Sequence, residues 1–101
     1  MENTDDVPVL DPPAFEPPPD MRRAYLDRHR AQIGELRAAA AADRWKDVLD
    51  EVSHVRGSGG MFGFAALSDA ADALVRAYDD APDDRPRLLD AYVRTLDESY
   101  V

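Results

Sequence analysis

The spacing of apolar residues is the feature that most restricts what this chain can fold into. From residue 20 onwards these residues recur at steps of three and four, which places them on one face of a helix. Four successive segments show this spacing: Tyr25, Leu26, His29, Ile33, Leu36 and Ala40; Trp45, Val48, Leu49, Val52 and Val55; Leu67, Ala70, Ala71, Leu74, Val75 and Tyr78; Leu88, Leu89, Tyr92, Val93 and Leu96. The alternation typical of a half-buried strand is missing over any useful length. The sequence therefore predicts an all-α, antiparallel four-helix bundle.

Aspartates mark the predicted helix starts, because a short carboxylate side chain can accept the free N–H groups of a first turn. Asp20 is placed to cap the first helix, which is expected to run through the alanine-rich stretch to Ala42. Asp43 is placed to start the second helix, and Asp83 or Asp84 to cap the fourth.

The N-terminal segment has a different composition from the rest of the chain. Six of the eight prolines lie before residue 20, in VPVLDPPAFEPPPD. Proline lacks the N–H donor that helices and sheets need. We therefore predict a proline-rich tail over residues 1–19 and the bundle over residues 20–101. The apolar tail residues Val9, Leu10 and Phe15 are candidates to pack across one end of the bundle.

Composition excludes several functional classes. The chain has no cysteine, which removes disulfides, thiolate catalysis and cysteine-based zinc sites. The opening MENTDD lacks the apolar core of a secretory signal, and no segment approaches the ~20 apolar residues of a membrane span. A net charge of −9 disfavours nucleic acid and anionic lipid as partners. A cytoplasmic monomer is expected.

The segment 53-SHVRGSGGMFGF-64 contains four of the five glycines and one of the two histidines. It has neither the lysine nor the preceding strand of a phosphate-binding nucleotide loop. His29 and His54 lack further ligands at helical spacing, so a metal site is not indicated. Ser53 and His54 point about 100° apart on a helix and cannot pair as nucleophile and base. His29 lies on the core-facing side of its helix, where a buried histidine with a hydrogen-bond partner is expected.

Glycines give this segment one unusual surface. Gly57 and Gly60 follow Ser53 by four and seven residues, so a continuing helix would carry a stripe without side chains. A partner's backbone can approach closely there. The apolar residues Val55, Met61, Phe62 and Phe64 have the spacing that such a continuing helix would bury. We define the glycine stripe as Ser53, Gly57 and Gly60.

The run RGSGGMFGF, with the apolar helical faces on either side of it, resembles the histidine phosphotransfer (Hpt) domain over about residues 20–100. Arg56 matches the family's basic position, Gly57 and Ser58 its Gly-Ser pair, and Gly60 and Gly63 its later glycines. The resemblance implies a four-helix bundle whose exposed histidine passes a phosphoryl group to and from a receiver-domain aspartate.

What the resemblance implies extends to partners and chemistry. The partners would be a response-regulator receiver domain, a sensor histidine kinase or both. The chain would be a phosphoryl carrier at most, without ATP hydrolysis and without a cofactor of its own, since Mg²⁺ belongs to the receiver. The docking surface would comprise Ser53, Arg56, Gly57, Ser58 and Gly60.

The sequence departs from the family pattern at the reactive position. The family's histidine stands four residues before the first glycine of the motif, and that position is Ser53 here, with His54 one residue later. Counted from Ser53, offsets −5, −1, +2 and +9 give an apolar set: Val48, Val52, Val55 and Phe62. Counted from His54, the same offsets give Leu49, Ser53, Arg56 and Gly63. The helical register therefore assigns the family's reactive position to Ser53.

Three hypotheses follow. In the first, the chain relays a phosphoryl group through His54, the candidate phospho-acceptor. In the second, it is a degenerate Hpt-like module that regulates a receiver or kinase by docking alone. In the third, it is a helical adaptor unrelated to phosphorelays, although such an adaptor does not require the glycine stripe.

Overall fold

The computed structural model describes residues 17–100 and is built from helices throughout that part of the chain. The elements are α1 (Pro19–Arg30), α2 (Ile33–Ala41), α3 (Trp45–Ser58), α4 (Ala65–Asp80), a 3-10 turn (Pro82–Asp84) and α5 (Arg85–Glu98). The all-α prediction is confirmed. The predicted tail contacts of Val9, Leu10 and Phe15 lie outside the described residues.

The first predicted helix is divided into α1 and α2. The interruption is at Ala31 and Gln32, where the Gln32 N–H reaches back only three residues to the His29 carbonyl, at 3.1 Å. This tighter turn is a 3-10 feature. On its two sides the helices have different neighbours, since α1 packs against α5 and α2 packs against α3. Together α1 and α2 take the place of the first helix of the predicted bundle.

The predicted caps differ from those in the structure. Asp20 lies inside α1, which begins at Pro19 with no side-chain cap, because a first-turn proline has no N–H to satisfy. Asp43 was predicted to start the helix α3, but the residue directly before α3 is Arg44. Asp43 lies one residue earlier and has a left-handed φ of 60°. Asp84 does precede α5, but its carboxylate makes no capping hydrogen bond.

The core contains the apolar faces that the sequence predicted. The buried side of α3 consists of Val48, Val52 and Val55, and the other helices contribute Leu26, Leu36, Leu67, Ala71, Leu74, Leu89, Tyr92 and Leu96. These side chains form one cluster. None of the helices between residues 17 and 100 has the length and apolar character needed to cross a bilayer.

The turn between α3 and α4 depends on two glycines. A Cβ at Gly59 would lie 2.9 Å from the Val55 carbonyl oxygen of α3 and 3.2 Å from the Ser68 Cβ of α4, so a side chain there would force the backbone or α4 to shift. Gly63 has φ +88°, which favours glycine. Arg22 secures this turn to α1 by donating from Nε to the Phe62 carbonyl at 3.0 Å.

The C-terminal end of the described chain is fastened to α1. The Tyr100 hydroxyl donates to Asp27 Oδ1 at 2.7 Å. Its ring lies under the guanidinium groups of Arg23 and Arg30, whose centres are 5.0 and 5.2 Å from the ring centroid. Tyr100 and Pro19 line the same shallow cleft. Residues at the two ends of the bundle's chain are therefore neighbours.

Candidate functional site

Helix α3 has a fully buried side and an open side. Val48, Val52 and Val55 are at most 1% exposed. The positions that would be buried if the register were shifted by one are different, since Leu49 and Ser53 are half-buried and Arg56 and Gly63 are exposed. Of the four residues predicted to be buried from the register of Ser53, Val48, Val52 and Val55 are buried, and Phe62, in the turn after α3, is half-buried.

The glycine stripe is open but is not continuous helix. A Cβ at Gly57 or Gly60 would meet nothing within 4 Å, and both glycines are exposed. However, α3 ends at Ser58, and Gly60 lies in the following turn. Met61 is 58% exposed, so the expectation that a continuing helix would bury it is wrong. The chain leaves the helix at Gly59, which is buried against Ser68 of α4.

Ser53 and His54 face different neighbours. The side chain of Ser53 is half-buried, whereas that of His54 is exposed. His54 borders a groove of about 530 Å³ between α2 and α3. The charged residues that share this groove are Glu35, Arg44, Asp47, Asp50 and Glu51.

The groove places His54 in acidic surroundings. It contains four carboxylates and one guanidinium, and that guanidinium, on Arg44, is paired with Asp47 at 2.7 Å. A phosphoryl group on His54 would add negative charge beside these carboxylates, which is electrostatically unfavourable. The groove therefore favours neither phosphorylation of His54 nor the approach of a phosphorylated aspartate to it.

Arg56 does not offset this charge. It follows His54 by two residues and so points about 200° away around the helix axis. Its guanidinium faces α4, where Nη1 lies 3.8 Å from Oδ1 of Asp72, a carboxylate that also binds Arg76 at 2.7 Å. Arg56 lies only about 60° from Ser53 and one turn beyond it. The basic flank thus belongs to the side of α3 that carries Ser53.

Ser58, which the sequence assigned to the docking surface, is engaged inside the bundle. Its hydroxyl donates to the His54 carbonyl at 2.7 Å, and the Tyr25 hydroxyl lies 2.7 Å from the same oxygen. Because the one hydroxyl hydrogen of Ser58 is directed to His54, Tyr25 is the donor to Ser58. Burial raises the pKa of the Tyr25 hydroxyl, and the nearby Glu51 carboxylate acts in the same direction.

His29 is buried and has a specific partner, as the sequence predicted. Its Nδ1 atom lies 2.8 Å from Glu51 Oε2, and its ring meets the Tyr25 ring edge-on with centroids 4.6 Å apart.

The sequence analysis did not identify Glu51, Tyr25 and Ser68 as neighbours of the candidate site. For Glu51 a signal was present, since it follows the buried Val48 by three residues and therefore lies beside the core-facing side. In the part of the chain that the structure describes, no cluster of three or more histidine, aspartate or glutamate residues is placed to hold a metal ion.

Ser68 closes the end of α3 from the other side. Its hydroxyl donates to the Arg56 carbonyl at 2.9 Å. Carbonyls in the last turn of a helix lack intrahelical donors, so a hydroxyl from α4 satisfies one of them. The end of α3 that carries Gly57 is thus held by α1 on one side and by α4 on the other.

The comparison with protein-family models gives a match over nearly the whole described chain. The model for the Hpt domain matches residues 20–99. The same residues contain the bundle, the glycine stripe and the two candidate positions on α3. Searches of curated proteins and of solved structures found no significant match.

Proposed function

Because the chain belongs to the Hpt domain family, and so is a phosphorelay signalling module, we propose that it docks a receiver domain on the glycine stripe of α3 without carrying phosphate. Hpt domains interact with receiver domains or kinases in such relays. We choose the receiver of these two partners, because an Hpt domain normally presents the open face of a helix to a receiver for phosphoryl transfer.

The occupant of the family's reactive position supports the absence of phosphate. That position is Ser53, on the side of α3 away from the acidic groove. A serine hydroxyl is a weak nucleophile unless a base activates it. A phosphoserine ester would also be too stable to return the group, whereas a phosphoramidate on histidine is labile. In this proposal the chain keeps the family's docking to a receiver domain but not its transfer of a phosphoryl group.

The openness of Gly57 and Gly60 supports docking. No side chain covers these positions, and a Cβ added to either would have only solvent around it. A partner can therefore bring its backbone against the end of α3. The exposed Met61, next to Gly60, adds apolar area that such a partner would bury.

The exposure of His54 favours a second candidate function, relay through this residue. The ring is accessible on the surface of α3 and lies one turn before Ser58. Against it stand the acidic groove and the position of Arg56 on the far side of the helix. We therefore rank relay through His54 below docking alone.

Affinity for receiver domains tests the docking function. Purified receivers would be titrated against the wild-type chain and against Gly57→Gln, with folding checked by circular dichroism. We expect Gly57→Gln to weaken binding at least tenfold, because the glutamine side chain would fill the approach path.

Gly34→Gln is the matched control for that experiment. Gly34 is also an exposed helical glycine with nothing within 4 Å of an added Cβ, but it lies on α2. The Gly34→Gln variant should bind receiver domains with the affinity of the wild-type chain. Equal binding by Gly57→Gln and wild type would place the docking surface elsewhere, and binding of no receiver by the wild-type chain would refute the proposed function.

A further inference from the structure

The rotation of α3 about its own axis decides which residues it presents to a partner. The apolar contacts of Val48, Val52 and Val55 fix the buried side, but apolar attraction has no preferred direction. Side chains lie about 5–6 Å from a helix axis, so a rotation of about 10° displaces them by about 1 Å. Apolar packing adjusts to such a shift more readily than a short hydrogen bond does.

A chain of two hydrogen bonds holds α3 at the turn that carries Ser53 and His54. The Tyr25 hydroxyl donates to Ser58 Oγ, and Ser58 donates to the His54 carbonyl, each at 2.7 Å. The Tyr25 ring is itself fixed, since it stacks on Phe62 at 4.3 Å and on Phe64 at 5.9 Å. The backbone of α3 is therefore tied to a side chain of α1 that has little freedom.

A second contact from α1 lies two turns earlier. His29 Nδ1 lies 2.8 Å from Glu51 Oε2. Glu51 and Ser58 are seven residues apart, so they lie on the same side of α3. The two contacts from α1 therefore bracket His54 along one line of the helix.

We propose that Tyr25 and Ser58 are positioning residues: their hydrogen-bond chain to the His54 carbonyl sets the rotation of α3 that leaves Gly57 open and places His54, but not Ser53, at the border of the acidic groove. The part of this proposal that concerns presentation to a receiver rests on the proposed function. The part that concerns the setting of α3 does not require a partner.

The setting of α3 is tested by NMR on the full-length chain. Tyr25→Phe removes one hydroxyl and keeps the stacked ring, and Ser58→Ala removes the link to His54. We expect shifted amide signals for residues 53–60 and hydrogen exchange there about fivefold faster, as for the loss of one hydrogen bond. Ser58→Thr keeps a hydroxyl and should restore the wild-type signals.

Ser99→Ala is the matched control, because the Ser99 hydroxyl makes the same kind of bond, to the Thr95 carbonyl at 2.8 Å, but at the C-terminal end of α5. It should leave residues 53–60 unchanged. If Tyr25→Phe and Ser58→Ala change residues 53–60 no more than Ser99→Ala does, apolar packing alone sets the helix and the proposal is overturned.

Receiver affinity tests the consequence for docking. With the folded fraction verified, Tyr25→Phe and Ser58→Ala should weaken binding of a receiver domain by about three- to tenfold, and Ser58→Thr should not. A purely structural role would lower the unfolding temperature and leave the Kd of the folded protein unchanged, which would overturn the docking part. If wild type binds no receiver, the proposed function fails, and the NMR comparison alone decides whether Tyr25 and Ser58 position α3.

Discussion

The buried imidazole of His29 meets the half-buried carboxylate of Glu51, with Nδ1 2.8 Å from Oε2. The histidine is only 6% exposed, so water cannot readily replace this partner. The contact ties α1 to the side of α3 that continues to Ser58. This polar pair is therefore part of what holds α3, the helix that carries the proposed docking surface, against α1.

Removing the carboxylate should be costly for the fold. Glu51→Ala leaves the buried His29 nitrogen without its partner, and we expect the free energy of unfolding to fall by about 1–3 kcal/mol. Urea denaturation at neutral pH measures it. Glu35→Ala, which removes an exposed carboxylate from the same groove, should change stability by less than about 0.5 kcal/mol. Equal effects of the two substitutions would contradict a structural role for the pair.

The two glycines Gly57 and Gly59 should respond in opposite ways to alanine. At Gly59 an added Cβ would meet a backbone oxygen at 2.9 Å and the Ser68 Cβ at 3.2 Å, and overpacking of this kind costs about 1–3 kcal/mol. At Gly57 the Cβ meets nothing, and alanine should stabilise α3 by up to about 1 kcal/mol. Thermal unfolding of both variants is the measurement, and an unchanged stability of Gly59→Ala would show that the contact between Gly59 and Ser68 relaxes without cost.

Alkaline pH should weaken the fold through Tyr92. Burial raises the pKa of its hydroxyl, with Glu51 and Tyr25 adding to the effect. Because the folded pKa is raised, the stability it contributes is fully present below the unfolded value of about 10 and is lost as the pH rises above it.

Tyr92→Phe should therefore make the free energy of unfolding less dependent on pH between about 9 and 12. Denaturant titrations at several pH values measure this slope. The raised pKa of Tyr25 leaves a residual dependence in the variant. A slope as steep as that of wild type would mean that ionisation of Tyr92 does not oppose folding.

Phosphoryl labelling separates docking alone from relay. Incubated with a phosphorylated receiver domain and Mg²⁺, the wild-type chain should acquire no acid-labile, base-stable label. The double exchange Ser53→His with His54→Ser should acquire it, because the imidazole then stands at the family's reactive position, away from the acidic groove. Robust labelling of wild type that His54→Gln abolishes would instead establish relay through His54.

The sequence predicted the helices and the core because periodic apolar residues such as Val48, Val52 and Val55 leave little choice about which face is buried. It also predicted burial of His29. It did not predict the interruption at Ala31 and Gln32, since neither residue breaks helices, and the division follows from packing against two different helices.

At the candidate site, the sequence did not predict the contacts that individual residues make with neighbouring helices. Spacing placed Gly57 on the glycine stripe, where it is open, but it did not indicate that Gly59 lies against α4. The family resemblance placed Ser58 on the docking surface, yet Tyr25 binds its hydroxyl. Such differences depend on what neighbouring helices bring to each position, and a single sequence does not encode this locally.

The adjacency of Pro19 and Tyr100, which line one cleft at the end of the bundle, has an architectural consequence. A domain whose chain enters and leaves at one place can be accommodated within a loop of another protein without stretching its host. The bundle therefore has the geometry of a domain that can be inserted into another protein. It can be fused at either end or spliced between two strands or helices, with α3 still facing outward.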